Sequence, residues 1–167
     1  FFNKESPQRS ALFFSGNSVI MKIICGFRYE LYTTDEQRSA LSRNAGCRRF
    51  VFNKALELQN ECKKSGLSLL RYKELCLELG NWKKEEKTVF LKEAMSQPLQ
   101  QALKDLDRAI GDSFRPKSDP TRKEWPKFKS KDIGDGFRIP QFKPEHIDDA
   151  NGRVKLPKIG WMRYRKS

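Results

Sequence analysis

The sequence predicts an α+β fold, a small β-sheet or partial β-barrel with a helical domain inserted after its first strand. Three observations predict it. Polarity alternates from Lys22 to Leu31, apolar spacing turns helical from Thr34 to Ile110, and period two returns after Ile133. A lone strand is not stable, so the first strand needs partners from the far end of the chain.

Residues 1–20 lack a charged segment followed by a long apolar core, and Met21 reads as the natural start. The first twenty residues are therefore expected to be a disordered leader outside the fold. In the strand that follows, Ile23, Cys25, Phe27, Tyr29 and Leu31 share one face. Thr33 and Thr34 end it.

Thr34 is a good N-cap, and Gln37 completes a capping box. Asp35 and Glu36 fall in the first turn and Lys63 and Lys64 in the last, as the helix dipole favours. Leu41, Ala45, Val51, Phe52, Ala55, Leu58 and Cys62 form an apolar stripe, with Arg38, Arg43, Arg48, Arg49 and Lys54 mostly off it. Gly46 is expected to kink this helix or split it in two. The pattern fits an ordinary amphipathic helix with a solvated cationic back as well as it fits a binding surface.

Ser68–Leu79 predicts a second helix, with Leu69, Tyr72, Cys76 and Leu79 inward and Gly80-Asn81 as its stop. Residues 82–94 read as a loop and a short helix. Ser96 is expected to cap a third helix that carries Leu99, Leu103, Leu106 and Ile110 on one face, ended by Gly111 and Pro116. That stripe is core and carries no chemistry.

Charge sets the function class. The 167 residues carry a formal charge of +13, with a pI near 9.7, a field that favours polyanions. Residues 115–131 and 153–167 together supply +11 of it. Residues 115–131 read RPKSDPTRKEWPKFKSK, with three prolines and seven cations, so no regular element is expected there. A charged linker explains the cations. Trp125 and Phe128 among them favour backbone tracking with base or sugar stacking. An apolar run long enough to span a membrane is absent from the sequence, and no membrane partner or small-molecule substrate is expected.

Beyond Ile133, Phe137 and Ile139 alternate with Arg138, and Val154 and Leu156 with Arg153 and Lys155. Asn151-Gly152 predicts a type I′ hairpin turn, and Pro157–Gly160 a second turn before a strand at Trp161–Arg165. Asp132, Asp135, Glu145, Asp148 and Asp149 are read as solvated turn residues rather than metal ligands. Cys25, Cys47, Cys62 and Cys76 form no CxxC pair and His146 is the sole histidine, so no zinc site is expected. Reduced, buried thiols in a cytoplasmic protein fit this usage.

FRYELYTTDEQRSAL, GCRRFVFNKAL, SQPLQQALKDLDRAI, WPKFKSK and NGRVKLPKIGWMRYRKS, in that order, resemble the N-terminal part of the TnpB/OrfB family of insertion-sequence, transposase-associated proteins. The resemblance covers residues 21–167. It implies an RNA-guided DNA endonuclease in which a wedge-like β-barrel and an inserted helical recognition domain precede a RuvC-like nuclease with a zinc ribbon. Residues 21–33 and 132–167 would form the wedge-like domain, incomplete, with Trp161–Arg165 as an unpaired edge. Residues 34–114 would form the recognition domain, described as a helix-turn-helix, and 115–131 the basic loop. No Asp, Glu or Cys of this chain matches the family's nuclease carboxylates or zinc ligands, so no catalysis, metal or cofactor is expected here.

Guide RNA and target DNA are the partners so implied, beside a missing C-terminal nuclease half. Phosphate contacts are expected from Arg43, Arg48, Arg49 and Lys54 on the first helix. In the loop they are expected from Lys117, Arg122, Lys123, Lys127, Lys129 and Lys131, with Trp125 and Phe128 stacking. Arg163, Arg165 and Lys166 would form a final patch. The alternatives are a nuclease-free RNA-guided regulator and a non-functional remnant of a decayed insertion sequence.

Overall fold

The computed structural model describes the backbone of Phe2–Glu5 and residues 26–131 and 136–165. The chain divides into two compact units. One comprises Phe1–Thr34, Phe142–Leu156 and Gly160–Ser167, and the other Asp35–Gln141 with Pro157–Ile159. This is the expected mixed α+β class, with the helices inserted between strands of one sheet.

In the helical unit, α1 runs unbroken from Asp35 to Lys64. The expected break at Gly46 does not occur. Glycine costs a helix interior only about 1 kcal/mol relative to alanine, and burial on both sides of it outweighs that: Asn44, Ala45, Val51, Phe52, Ala55 and Leu56 are all inside. Helix α2 spans Tyr72–Trp82, continuing past the expected stop at Gly80-Asn81. Leu75, Leu79 and Trp82 form its buried stripe, and Trp82, only 4% exposed, carries the helix one turn further. A 3₁₀ helix at Glu86–Lys92 buries Leu91.

Helix α3 spans Ser96–Ser113, with Met95 rather than Ser96 in the N-cap position and no side-chain cap. The Met95 backbone N–H donates instead to Asn44 Oδ1 at 2.8 Å, so a residue of α1 terminates the third helix. Leu56, Leu75, Leu91, Leu99, Leu103 and Leu106 are completely buried in one cluster, each contributing about 1.5–3 kcal/mol of transfer free energy. Residues 136–139, expected as a strand, pair with nothing in a sheet and group with this unit. Ile133 lies outside the described residues.

The other unit holds two sheets. Strand β1 (Phe2–Glu5) pairs antiparallel with β2 (Gly26–Tyr29), so the stretch set aside as leader supplies a strand. The second sheet has the order β3 (Leu31–Tyr32), β6 (Gly160–Tyr164), β5 (Arg153–Leu156), β4 (Ile147–Asp148), all neighbours antiparallel and not closed into a barrel. The expected unpaired edge at Trp161–Arg165 is corrected here: β6 is an interior strand, because Leu31 and Tyr32 pair with Tyr164 and Arg163. The edges are β3 and β4, each two residues long and too short to template another chain.

The turn between β4 and β5 is also not type I′. Asp148 pairs with Arg153, so the loop is 149–152, and only Gly152 there has positive φ, at 59°. Asp148 accounts for this. Its carboxylate accepts from the Asn151 backbone (3.1 Å), the Asn151 side chain (2.9 Å) and the Arg153 guanidinium (2.7 Å). Those partners, Arg153 first, hold the Asp148 carboxyl down at about 2.

Tyr164 closes the same loop by donating its hydroxyl to the Asp149 carboxylate. Burial and that carboxylate push the phenol up to about 12. A folded value above the ordinary ~10 gives stability that is complete below pH ~10 and lost as pH rises toward 12. Tyr164→Phe should therefore flatten the alkaline limb of a urea-stability profile across that window. Identical limbs for the two proteins would show that the phenol carries no such linkage.

Candidate nucleic-acid interface

Amide side chains along α1 organise the surface that carries the basic loop. Asn53 donates through Nδ2 to the Lys129 carbonyl (3.0 Å) and accepts from the Lys129 N–H through Oδ1 (2.8 Å). One turn or two further on, Asn60 Oδ1 accepts from the Trp125 indole at 2.8 Å, and Gln59 clasps the Leu70 backbone the same way that Asn53 clasps Lys129. The loop lacks regular structure yet is tied at both Trp125 and Lys129. Its start is shaped by Asp119, which accepts from the Thr121 backbone (2.8 Å) and hydroxyl (2.6 Å). Those bonds, with Arg115 nearby, hold the Asp119 carboxyl below the usual range.

This scaffold sorts the expected contact residues into engaged and available groups. Arg48 is bound to Asp105 Oδ2 (3.0 Å) and to the Gly136 carbonyl (2.8 Å), joining α1 to α3. Lys54 pairs with Glu85 at 3.1 Å and lies 5.1 Å from the Trp82 ring centre. Lys129 sits over the Phe52 ring at 4.2 Å; burial, with Arg48 adding, pushes its ammonium below the usual lysine range. Trp125 packs against the core, edge-on to Phe114, with the Lys63 ammonium 4.0 Å from its ring centre. These four residues spend their chemistry inside the unit.

Arg43, Lys117, Arg122, Lys123, Lys127 and Lys131 are exposed. Lys123 reaches Asp112 at 3.5 Å and Lys127 reaches Glu124 at 3.1 Å, both in open solvent on the lysine side, where such pairs are worth little and exchange freely. Lys63, Lys117, Arg122, Lys123 and Trp125 line an open groove of about 480 Å³, which Asp119 and Glu124 also border. Half-buried Arg49 lines a second depression, of about 630 Å³, with Phe50, Lys54 and Phe128. Phe128, 58% exposed, remains available for stacking. In the sheet unit Arg163 is exposed and Arg165 pairs with Glu30 at 3.6 Å. Lys166 lies outside the described residues.

The sheet unit also holds candidates that the sequence reading counted in its charge but did not name as contacts. Arg153 and Lys155 flank the Trp161 ring, at 5.4 and 5.9 Å from its centre. The signal was the alternation itself, which puts Arg153, Lys155, Trp161 and Arg163 on one face. Cys47, Cys62 and Cys76 are half-buried and free, and Cys25 lies outside the described residues. Among the described residues no three His, Cys, Asp or Glu side chains converge as a metal site would need, and no helix is long and apolar enough to cross a membrane.

A helix-turn-helix domain family of OrfB proteins matches residues 21–66. Within that stretch the structure describes residues 26–66, which form two short strands, one continuous helix and a turn at 65–66, and α2 follows from Tyr72. The chain is 42% identical over 147 residues to InsQ of Escherichia coli (strain K12), a candidate RNA-guided DNA endonuclease; 88% of this chain and 35% of that protein align. It is 40% identical over 105 residues to a candidate RNA-guided DNA endonuclease of Streptomyces pristinaespiralis, covering 63% of this chain and 25% of the relative. The chain thus spans about a third of the length of one relative and a quarter of the other. With the helix-turn-helix match and these two relatives, the chain belongs to the TnpB/OrfB family and corresponds to its N-terminal part.

Proposed function

We propose that the chain is the nucleic-acid-binding module of a TnpB-like protein, with guide RNA and target DNA as its partners and phosphates held by the exposed cations of α1 and the basic loop. The observation that carries this reading is the loop itself. Asn53 holds its backbone at Lys129 and Asn60 holds its Trp125 indole, while Arg122, Lys123 and Lys127 stay in solvent. Cations on a tethered backbone lose less entropy on meeting phosphates than cations on a free linker. A continuous α1 also argues against a free-standing recognition helix in a major groove, which needs a short second helix set by a tight turn. The family relation supports delegation of sequence reading to base pairing, with the protein holding backbone.

Binding, rather than cleavage, is the role proposed for these residues. Metal-dependent cleavage of DNA by the purified chain, abolished by EDTA, would contradict it.

Salt dependence tests the electrostatic core of the reading. Neutralising about six phosphates gives a slope of log affinity against log salt of roughly −4 to −5. Replacing Arg122, Lys123 and Lys127 with Ala should make the slope shallower by about 2–3 and weaken all sequences alike. A wild-type slope near zero, or a loss confined to one sequence, would refute it.

A further inference from the structure

We propose that the outer face of the β3–β6–β5 sheet is a second nucleic-acid site, which stacks two successive bases of an unpaired strand on Tyr32 and Trp161. It goes beyond the reading above and uses none of the helical unit's cations.

The face follows from register. Tyr32 lies opposite Arg163, Arg163 opposite Arg153, and Trp161 opposite Lys155; residues directly opposite one another share a face. The alternate set, Val154, Leu156, Met162 and Tyr164, is buried, which leaves this set toward solvent. Tyr32 is 56% and Trp161 39% exposed. An antiparallel sheet with two exposed rings between cations is a stacking platform bordered by phosphate contacts. The Asp148 carboxylate holds the Arg153 guanidinium at 2.7 Å beside the Trp161 ring, so Lys155 and Arg163 are the cations offered to phosphate.

The spacing selects an unpaired strand. Tyr32 and Trp161 are diagonal neighbours across β3 and β6, and such neighbours are about 7–8 Å apart. Bases in a duplex follow one another at ~3.4 Å along each strand and keep their faces on each other. Only bases that have left the stack can lie on rings set so far apart.

The test is anisotropy of labelled oligouridine, oligothymidine and a DNA duplex, each about 15 nucleotides long, with the full chain. Trp161→Ala and Tyr32→Ala are each expected to weaken the single strands about tenfold and to leave the duplex within about twofold. Trp161→Phe, which keeps a ring, should restore most of the loss. A response confined to oligouridine assigns the face to RNA, and one confined to oligothymidine assigns it to single-stranded DNA; either supports the site. Equal losses on single strands and duplex overturn it, as does the absence of loss in variants with wild-type circular dichroism. Should Trp161→Ala not fold, Tyr32→Ala on the edge strand and Trp161→Phe decide the matter alone. Failure of salt-dependent duplex binding in the wild-type chain would strike the first reading and leave this one standing.

Discussion

Leu103→Ala is expected to lower the stability of the helical unit by about 2–5 kcal/mol. Leu103 is completely buried in α3 and belongs to a cluster with Val51, Phe52 and Leu56 of α1 and Leu75 and Leu79 of α2. Truncation removes transfer free energy and leaves a cavity that three helices, packed from three directions, cannot all collapse into. The urea midpoint should fall with an unchanged slope. Leu77→Ala on α2, where the side chain is 71% exposed, should move it by no more than about 0.5 kcal/mol. Equal shifts for the two variants would mean that this cluster is not the core of the folded chain.

Gln59→Leu is expected to cost about 2–4 kcal/mol, although leucine is the more apolar residue and the site is completely buried. The Gln59 amide donates to the Leu70 carbonyl at 2.6 Å and accepts the Leu70 N–H at 3.0 Å. Leucine would leave both backbone groups unpaired, each at a desolvation cost of about 1–3 kcal/mol. A gain in stability would show that burial outweighs those bonds and that residues 65–71 can re-pair elsewhere. The measurement is the same urea transition, with backbone hydrogen exchange at Leu70 reporting the local opening directly.

The legible part of this protein was its pattern. The helix from Asp35 to Lys64, the Leu99–Ile110 stripe and the strands around Val154 and Met162 follow from periods of 3.6 and 2, which are local properties. Boundaries were less legible. Met95 replaced Ser96 as the cap position because Asn44, far away in sequence, satisfies its N–H. Trp82 drew α2 past Gly80 because its indole reaches the core. Asp148 turned a predicted two-residue turn into a four-residue loop by holding Asn151 and Arg153 at once.

The candidate site divides along the same line. Sequence by itself determined that cations gather in residues 115–131 and 153–167 and that aromatics lie among them, because composition is visible residue by residue. Only the tertiary structure decided which of those cations face solvent. Arg48 meets Asp105 across 57 residues of sequence, and Asn53 meets Lys129 across 76. Pairing over such separations depends on how helices pack, which no local period encodes. The same holds for the sheet: alternation placed Trp161 and Arg163 on one face, but only the return of Tyr32 beside Arg163, through antiparallel pairing with β6, made that face a candidate platform.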